Sequence, residues 1–346
     1  MPQKASAFKA QSHNRDCRPA GLLLESRNGR RKMKNMIRPN ILRAMCIFML
    51  GWGMSLSGFG FKIAPRQKIK IMATVFPIME FAREIVGDRG EVRLLLPPGA
   101  EVHTWQPRVS DIGKLAASDL FIYIGGGLEP WLEDIFKSAG RPGMKRIEAS
   151  RGLGLISEGK HDSHAGHSAE TSDPHIWLDF AFDQMIIDKI QLVLSDIDPA
   201  AAADYERSAQ AYKVKLRRLD RLYEEALQNC RTRTFIFGGH SAFGYLARRY
   251  HLRQISVYGL SPDAAPTPKR LVDIITLAKA QGIKTVFFEP SVSDKMAKLV
   301  AKEIGADVLL LNPGHNLTTD QLATGMTFLR LMEINLESFK HGLACR

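Results

Sequence analysis

Residues 201–230 read AAADYERSAQAYKVKLRRLDRLYEEALQNC, thirty residues with no internal Gly or Pro. Asp198-Pro199 just before them marks a turn and a helix start, since Pro is tolerated in the first helical turn. Fully helical, the stretch is about 45 Å long. A helix of that length suits a strut between two domains, so the sequence on either side should fold as two separate units.

Both flanks support this. From Lys68, apolar runs bounded by Gly alternate with amphipathic segments: strand KIKIMATVF, helix PIMEFAREIVG, strand EVRLLL, helix VSDIGKLAAS, strand DLFIYIGGG, helix LEPWLEDIFKSAG and strand KRIEA. A polar stretch, 160–174, interrupts the pattern before the helix AFDQMIIDKIQLVLSDI. Beyond the strut the alternation resumes: strand FIFGG, helix HSAFGYLARRYH, strand RQISVYG, helix KRLVDIITLAKAQG, strand KTVFFEP, helix SDKMAKLVAKEIG, strand DVLLLNPG and a closing helix QLATGMTFLRLMEINLESFKHGL. Short buried strands alternating with helices predict parallel sheets. The expectation is an α/β chain of two parallel-sheet βα lobes joined by one long rigid helix. The boundaries are 66–197 for the N-terminal lobe with loop 160–174, 198–230 for the linking helix and 231–346 for the C-terminal lobe.

Residues 1–65 read differently. They hold twelve Lys and Arg against two acids, Asp16 and Glu25, a charge of +10; the rest has 36 basic and 34 acidic residues, or +2. The overall +12 is therefore no nucleic-acid footprint. KNMIRPNILR at 34–43 followed by the apolar AMCIFMLGWGMSLSGFGF at 44–61 has the order of a secretory signal, with cleavage expected near residues 57–64 and translation from Met33 or Met36. An uncleaved anchor is the weaker reading, given the Gly and Ser in the run. Cys46 lies too early in that run for a lipidated cysteine, so a free periplasmic protein is expected. Beyond residue 65 no apolar run reaches the length of a membrane span. Cys230 and Cys345 then share an oxidising compartment, where either a disulfide or two free thiols at a frayed terminus would fit.

Three histidines stand at comparable places. His103 follows EVRLLL and the turn PPGAE, His175 sits in DPHIWLD, and His240 follows FIFGG. Ligands of open α/β sheets bind beyond the carboxyl ends of the strands, so a ligand shared by the three lies in the cleft between the lobes. Three imidazoles suit zinc and leave one place in a tetrahedral shell, whereas manganese prefers oxygen donors. Other motifs carry less. GGGLEP at 125–130 lacks the Lys-Ser/Thr of a phosphate loop and reads as a turn. G-G-H-S at 238–241 is no nucleophile elbow. Trp131 reads as packing, and Trp105 and Trp177, two residues from ligand positions, as packing that also shields the metal.

PPGAEVHTWQPRVSD, SDPHIWLD, GGHSAFGYLARRY, GLSPDAAPTPKRL and FFEPSVSDK together resemble the metal-binding solute receptors of bacterial ABC importers for zinc and manganese, in particular the zinc-uptake branch. The resemblance covers about residues 68–340. It implies high-affinity capture of Zn²⁺ as transported ligand, delivery to an ABC permease membrane subunit, a monomer and no enzymatic role. It maps the first three ligands to His103, His175 and His240. Manganese members have Glu at the third place, so His240 implies zinc.

The family's fourth ligand, an Asp, falls on Asn312, a neutral and weaker donor. Water, Glu101 or His315 are the alternatives there, and Glu289 is a partner for a ligand imidazole. The stretch KHDSHAGHSAETS is a short form of the family's histidine-rich insertion; His161, His164 and His167 are auxiliary zinc ligands on this reading, and a solvated loop without a role stands beside it. A manganese or iron receptor, or a zinc hydrolase with Glu101 or Glu289 as base, is the alternative function.

Overall fold

The computed structural model describes residues 67–139, 141–157, 172–261, 265–289 and 294–346. The expected leader and cleavage site, and His161, His164 and His167, lie outside the described residues. Two four-stranded parallel sheets form. The first contains β1 (Ile69–Ala73), β2 (Gly90–Leu94), β3 (Leu120–Tyr123) and β4 (Lys145–Glu148) in the order β2-β1-β3-β4. The second contains β5 (Thr234–Phe237), β6 (Arg253–Ser256), β7 (Thr285–Phe288) and β8 (Asp307–Leu310) in the matching order β6-β5-β7-β8. The inner strands are apolar on both faces because helices cover both: Leu120, Phe121 and Ile122 are all buried, as are Phe235, Ile236 and Phe237. In each sheet the chain reverses direction across the first strand, which opens a crevice at the carboxyl ends of the first and third strands.

In the first lobe α1 (Phe76–Val86), α2 (Val109–Ala116) and α3 (Leu132–Ala139) follow the strands, and α4 (Phe180–Ile197) closes it. Asp179 caps α4 by accepting a bond from the Ala181 N–H at 3.0 Å. A turn of 3₁₀ helix at Pro199–Ala201 leads into α5 (Ala202–Leu227), 26 residues and about 39 Å long. Tyr205, Ala209, Tyr212, Leu216, Leu219, Tyr223 and Leu227 form its buried stripe at spacings of three and four.

That stripe bridges the lobes. Tyr212 donates its hydroxyl to Glu80 of α1 at 2.8 Å, and Tyr223 donates to the Met332 carbonyl at 2.6 Å. Glu80 also accepts from the Phe328 N–H at 2.7 Å, so one buried carboxylate ties α1 and α5 to the start of the last helix. The main core is accordingly continuous across both lobes.

The second lobe adds α6 (Gly244–Arg249), α7 (Pro268–Ala280), α8 (Lys295–Ile304), α9 (Thr319–Ala323) and α10 (Phe328–Gly342). Two segments differ from expectation. The closing helix is broken: Gly325 takes φ +70°, a left-handed conformation natural to Gly, and Thr327 then caps a new helix by accepting from the Arg330 N–H. The helix expected from His240 starts only at Gly244, because residues 238–243 form the turn that carries the histidine. Cys230 and Cys345 are joined in a disulfide that fastens the chain end to the end of α5. No helix among the described residues is long and apolar enough to cross a membrane.

Candidate metal centre

His240 sits beyond β5 on Gly238-Gly239, and both glycines are dictated by close approach. A Cβ at Gly238 would lie 2.5 Å from Ala297 Cβ, and one at Gly239 would lie 2.1 Å from Glu289 Oε1. The tight turn presses the His240 backbone onto Glu289, whose Oε1 accepts from the His240 N–H at 3.1 Å and from Nδ1 at 2.8 Å. Glu289 follows β7, so the first and third strands of the second sheet meet here. His175 is held in the same way. Asp173 Oδ1 accepts from its N–H at 2.9 Å and its Nδ1 at 2.7 Å. His103 comes from the loop after β2, where Glu101 Oε1 accepts from its N–H at 3.2 Å.

The three rings converge. His103 Nε2 lies 3.2 Å from His175 Nε2, which lies 3.1 Å from His240 Nε2. Ring centroids are 5.0–5.2 Å apart. With Nδ1 of His175 and His240 donating to carboxylates, their Nε2 atoms face each other with bare lone pairs. Such a contact is repulsive unless a proton or a cation lies between the two. Zinc–nitrogen bonds of about 2.0–2.1 Å at tetrahedral angles place two nitrogens about 3.3–3.4 Å apart, close to the spacing seen. Among the described residues these three histidines are the one group of His, Cys, Asp or Glu whose donor atoms cluster to this degree.

The electrostatics suit neutral ligands. Burial, reinforced by the neighbouring imidazoles, holds His103 and His175 well below the usual histidine range. At His240 burial pushes downward but Glu289 outweighs it and raises the ring's basicity. The carboxylate that would steady an imidazolium also steadies an imidazole sharing a cation's charge. Burial likewise pushes Asp173 up to about 7, against the His175 N–H bond.

The two remaining candidates separate. Asn312 Oδ1 is taken by the Gly314 N–H at 2.8 Å, which uses the amide oxygen to shape its own turn. His315 is 2% exposed, with its ring centroid 6.0 Å from that of His240. Its Nε2 is 3.7 Å from Glu101 Oε2; its Nδ1 and that carboxylate oxygen are buried without a hydrogen bond.

Trp177 is fully buried, meets His175 edge-on at 5.4 Å and donates Nε1–H to the Pro313 carbonyl at 2.7 Å. Trp105 packs edge-on against Trp131. The Gly125–Gly127 turn binds no outside group through its first N–H, because Glu129 accepts from the Gly125 and Ile124 N–H groups and the Thr74 hydroxyl. Asp173, the partner of His175, was not singled out from sequence. Its signal is slight, an acid two residues before the histidine, with Pro between.

The family described as zinc-uptake complex component A, periplasmic, matches residues 71–342. The high-affinity zinc uptake system protein ZnuA of Bacillus subtilis is 34% identical over 283 residues, covering 80% of this chain and 88% of that protein. The zinc-binding protein AdcA of Streptococcus pyogenes is 32% identical over 293 residues, covering 81% of this chain but 57% of the relative, so the chain spans little more than half the length of the streptococcal proteins. The crystal structure of the Zn(II)-bound ZnuA-like domain of Streptococcus pneumoniae AdcA superposes with a TM-score of 0.69 at 31% identity, over 80% of this chain and 99% of that one. A family match across both sheets and all three convergent histidines places the chain plainly: it belongs to the zinc-uptake complex component A family.

Proposed function

We propose that this protein is the zinc-capturing receptor of an ABC-type importer. It binds one Zn²⁺ between its lobes and hands it to the permease membrane subunit, working as an exported monomer without covalent chemistry. The observation that carries the reading is the set of Nε2 atoms at 3.1–3.2 Å, with two of the rings locked from behind by buried carboxylates. His103, His175 and His240 are the ligands. His315, rather than Asn312, completes the shell, supported by its burial beside His240 and its unpartnered Nδ1. The lobes are 66–197 and 231–346, with 198–230 between them.

An all-nitrogen donor set favours zinc over manganese, which prefers oxygen. A zinc hydrolase would need an open coordination place with a base beside it. On this reading His315 takes that place, with Glu101 Oε2 3.7 Å from its Nε2, and Glu289 is engaged by His240.

Competition titration of Zn²⁺ against Mn²⁺ on the full chain tests the reading. Zinc should bind tightly, with about one tight ion per chain on the chemistry of a closed four-donor site. Equal or tighter binding of Mn²⁺ would overturn it.

A further inference from the structure

His175 belongs to the N-terminal lobe, yet the groups that fix its segment come from the C-terminal lobe. Helix α6 begins four residues after His240. Its Tyr245 hydroxyl donates to the Asp173 carbonyl at 2.7 Å and accepts from the Ile156 N–H at 3.1 Å. Arg249, four residues on and so on the same helix face, donates Nη1–H to Asp179 Oδ1 at 3.0 Å. These contacts fall two residues before and four residues after His175. Arg249 is itself fixed by Asp220 of α5, which takes its Nε–H at 2.8 Å.

The packing repeats the message. A Cβ at Gly244 would stand 2.6 Å from Asp173 Oδ2, so the start of α6 lies directly against the carboxylate that aims His175. The Phe182 ring meets Tyr245 edge-on at 5.6 Å, and the Arg248 guanidinium lies over Tyr245 at 5.1 Å. Tyr245 is 0% exposed and Asp173 3%, so no water stands ready to replace a lost bond.

We propose that α6 is a latch: Tyr245 and Arg249 are positioning residues that hold His175 in register with His240 while touching no metal. The proposal rests on the reading of those two histidines as ligands. One stretch of chain, 240–249, then carries one imidazole and grips the segment of the other. Metal–ligand distances tolerate displacements of only about 0.2 Å, so a contact that sets the spacing of two rings sets the affinity. Loss of the Tyr245 hydroxyl keeps the ring and its contact with Phe182 but frees the Asp173 carbonyl, so zinc affinity should fall along with some local stability.

The test is a double-mutant cycle on the full chain, reading zinc affinity by chelator competition and the melting of the metal-free protein. Tyr245→Phe should weaken zinc roughly tenfold; it also leaves the Asp173 carbonyl and the Ile156 N–H unpaired and so lowers melting of the metal-free form, a loss that the His175→Ala background separates from the effect on zinc. Arg249→Lys, which keeps the charge but loses the planar fork, should weaken zinc in the same direction. In a His175→Ala background, Tyr245→Phe should have no further effect, because its target is gone. Parental affinity in both single variants would overturn the latch, and so would an equal loss with and without His175. If His175→Ala alone leaves zinc affinity unchanged, the ligand assignment itself falls, an outcome distinct from failure of the latch.

Discussion

Asn335 pairs with the backbone of Asn312 in both directions: its Oδ1 accepts from the Asn312 N–H at 2.9 Å and its Nδ2 donates to the Asn312 carbonyl at 2.7 Å. A fully buried carboxamide on α10 thereby acts as a rung of sheet for a loop that has left the sheet. The loop it holds leads three residues later to His315. Asn335→Leu would strand two buried backbone groups, at about 1–3 kcal/mol each. Chemical denaturation of the metal-free protein should show a loss of about 2–6 kcal/mol, and zinc affinity should fall with it. A stability loss under about 1 kcal/mol would show that the loop finds other partners.

The carboxylate behind His240 should matter almost as much as the ring. His240→Ala removes a ligand and should lower zinc affinity by several orders of magnitude, of which chelator competition would read at least the first three. Glu289→Gln keeps an oxygen for Nδ1 but removes the charge, and should cost roughly 10–100-fold in affinity. Unchanged affinity in Glu289→Gln would assign the residue to the turn alone.

Glu129 gives a stability signal away from the metal. Burial pushes its carboxyl up to about 7, despite the bonds from Thr74, Ile124 and Gly125 that favour the anion. The unfolded chain releases this proton near the ordinary glutamate value of 4.5 and the folded chain only at about 7. Between those values the folded state holds more protons than the unfolded one, so the contribution of Glu129 to stability falls as pH rises and levels off above 7. Denaturation of the parent and of Glu129→Gln at pH 4.5, 6 and 8 should show the parent losing stability relative to the variant as pH rises. A difference that stays constant with pH would place its ionisation in both states at the same pH.

The disulfide should be a stabiliser that the metal does not feel. Cys230 and Cys345 are separated by 115 positions in sequence, and a cross-link closing so long a loop is typically worth about 2–4 kcal/mol. It lies at the entry end of the second sheet, just before β5, whereas the histidines lie beyond the exit ends of the strands. Cys345→Ser should lower the denaturation midpoint and leave zinc affinity within about threefold, since sites that share no partners act nearly independently. A large loss of zinc affinity would show that α10 carries strain from one end of the lobe to the other.

Much of this was legible in the chain because it is local. Strand and helix alternation, the strut, the place of His103 and His240 after apolar runs and that of His175 just after the polar stretch all depend on residues close in sequence. The misreadings are long-range. Gly325 looked tolerable inside a helical pattern, but there the helix must turn for α10 to reach α5. Asn312 fell on the family's fourth-ligand place through the resemblance alone, and what its side chain does is, by contrast, local: it accepts from Gly314, two residues on. Asp173 and Tyr245 gave almost no signal, because their partners lie across a lobe boundary or depend on a turn whose shape is tertiary. Whether Cys230 met Cys345 depended on how the last helix docks.

The two sheets share one strand order, and a glutamate after the third strand of each reaches the segment after the first: Glu129 to Thr74, Glu289 to His240. The molecule is in effect one half-site drafted twice and finished differently. In the first copy the acid is spent on holding its own crevice shut. In the second it is turned to His240, accepting from both its N–H and its Nδ1. On the proposed reading neither half owns the ion: His103 and His175 come with one copy and His240 with the other, so holding it would require both halves in contact. Such a site would carry its own proof of assembly, since a chain clipped or misdocked along the strut would bring no three histidines together.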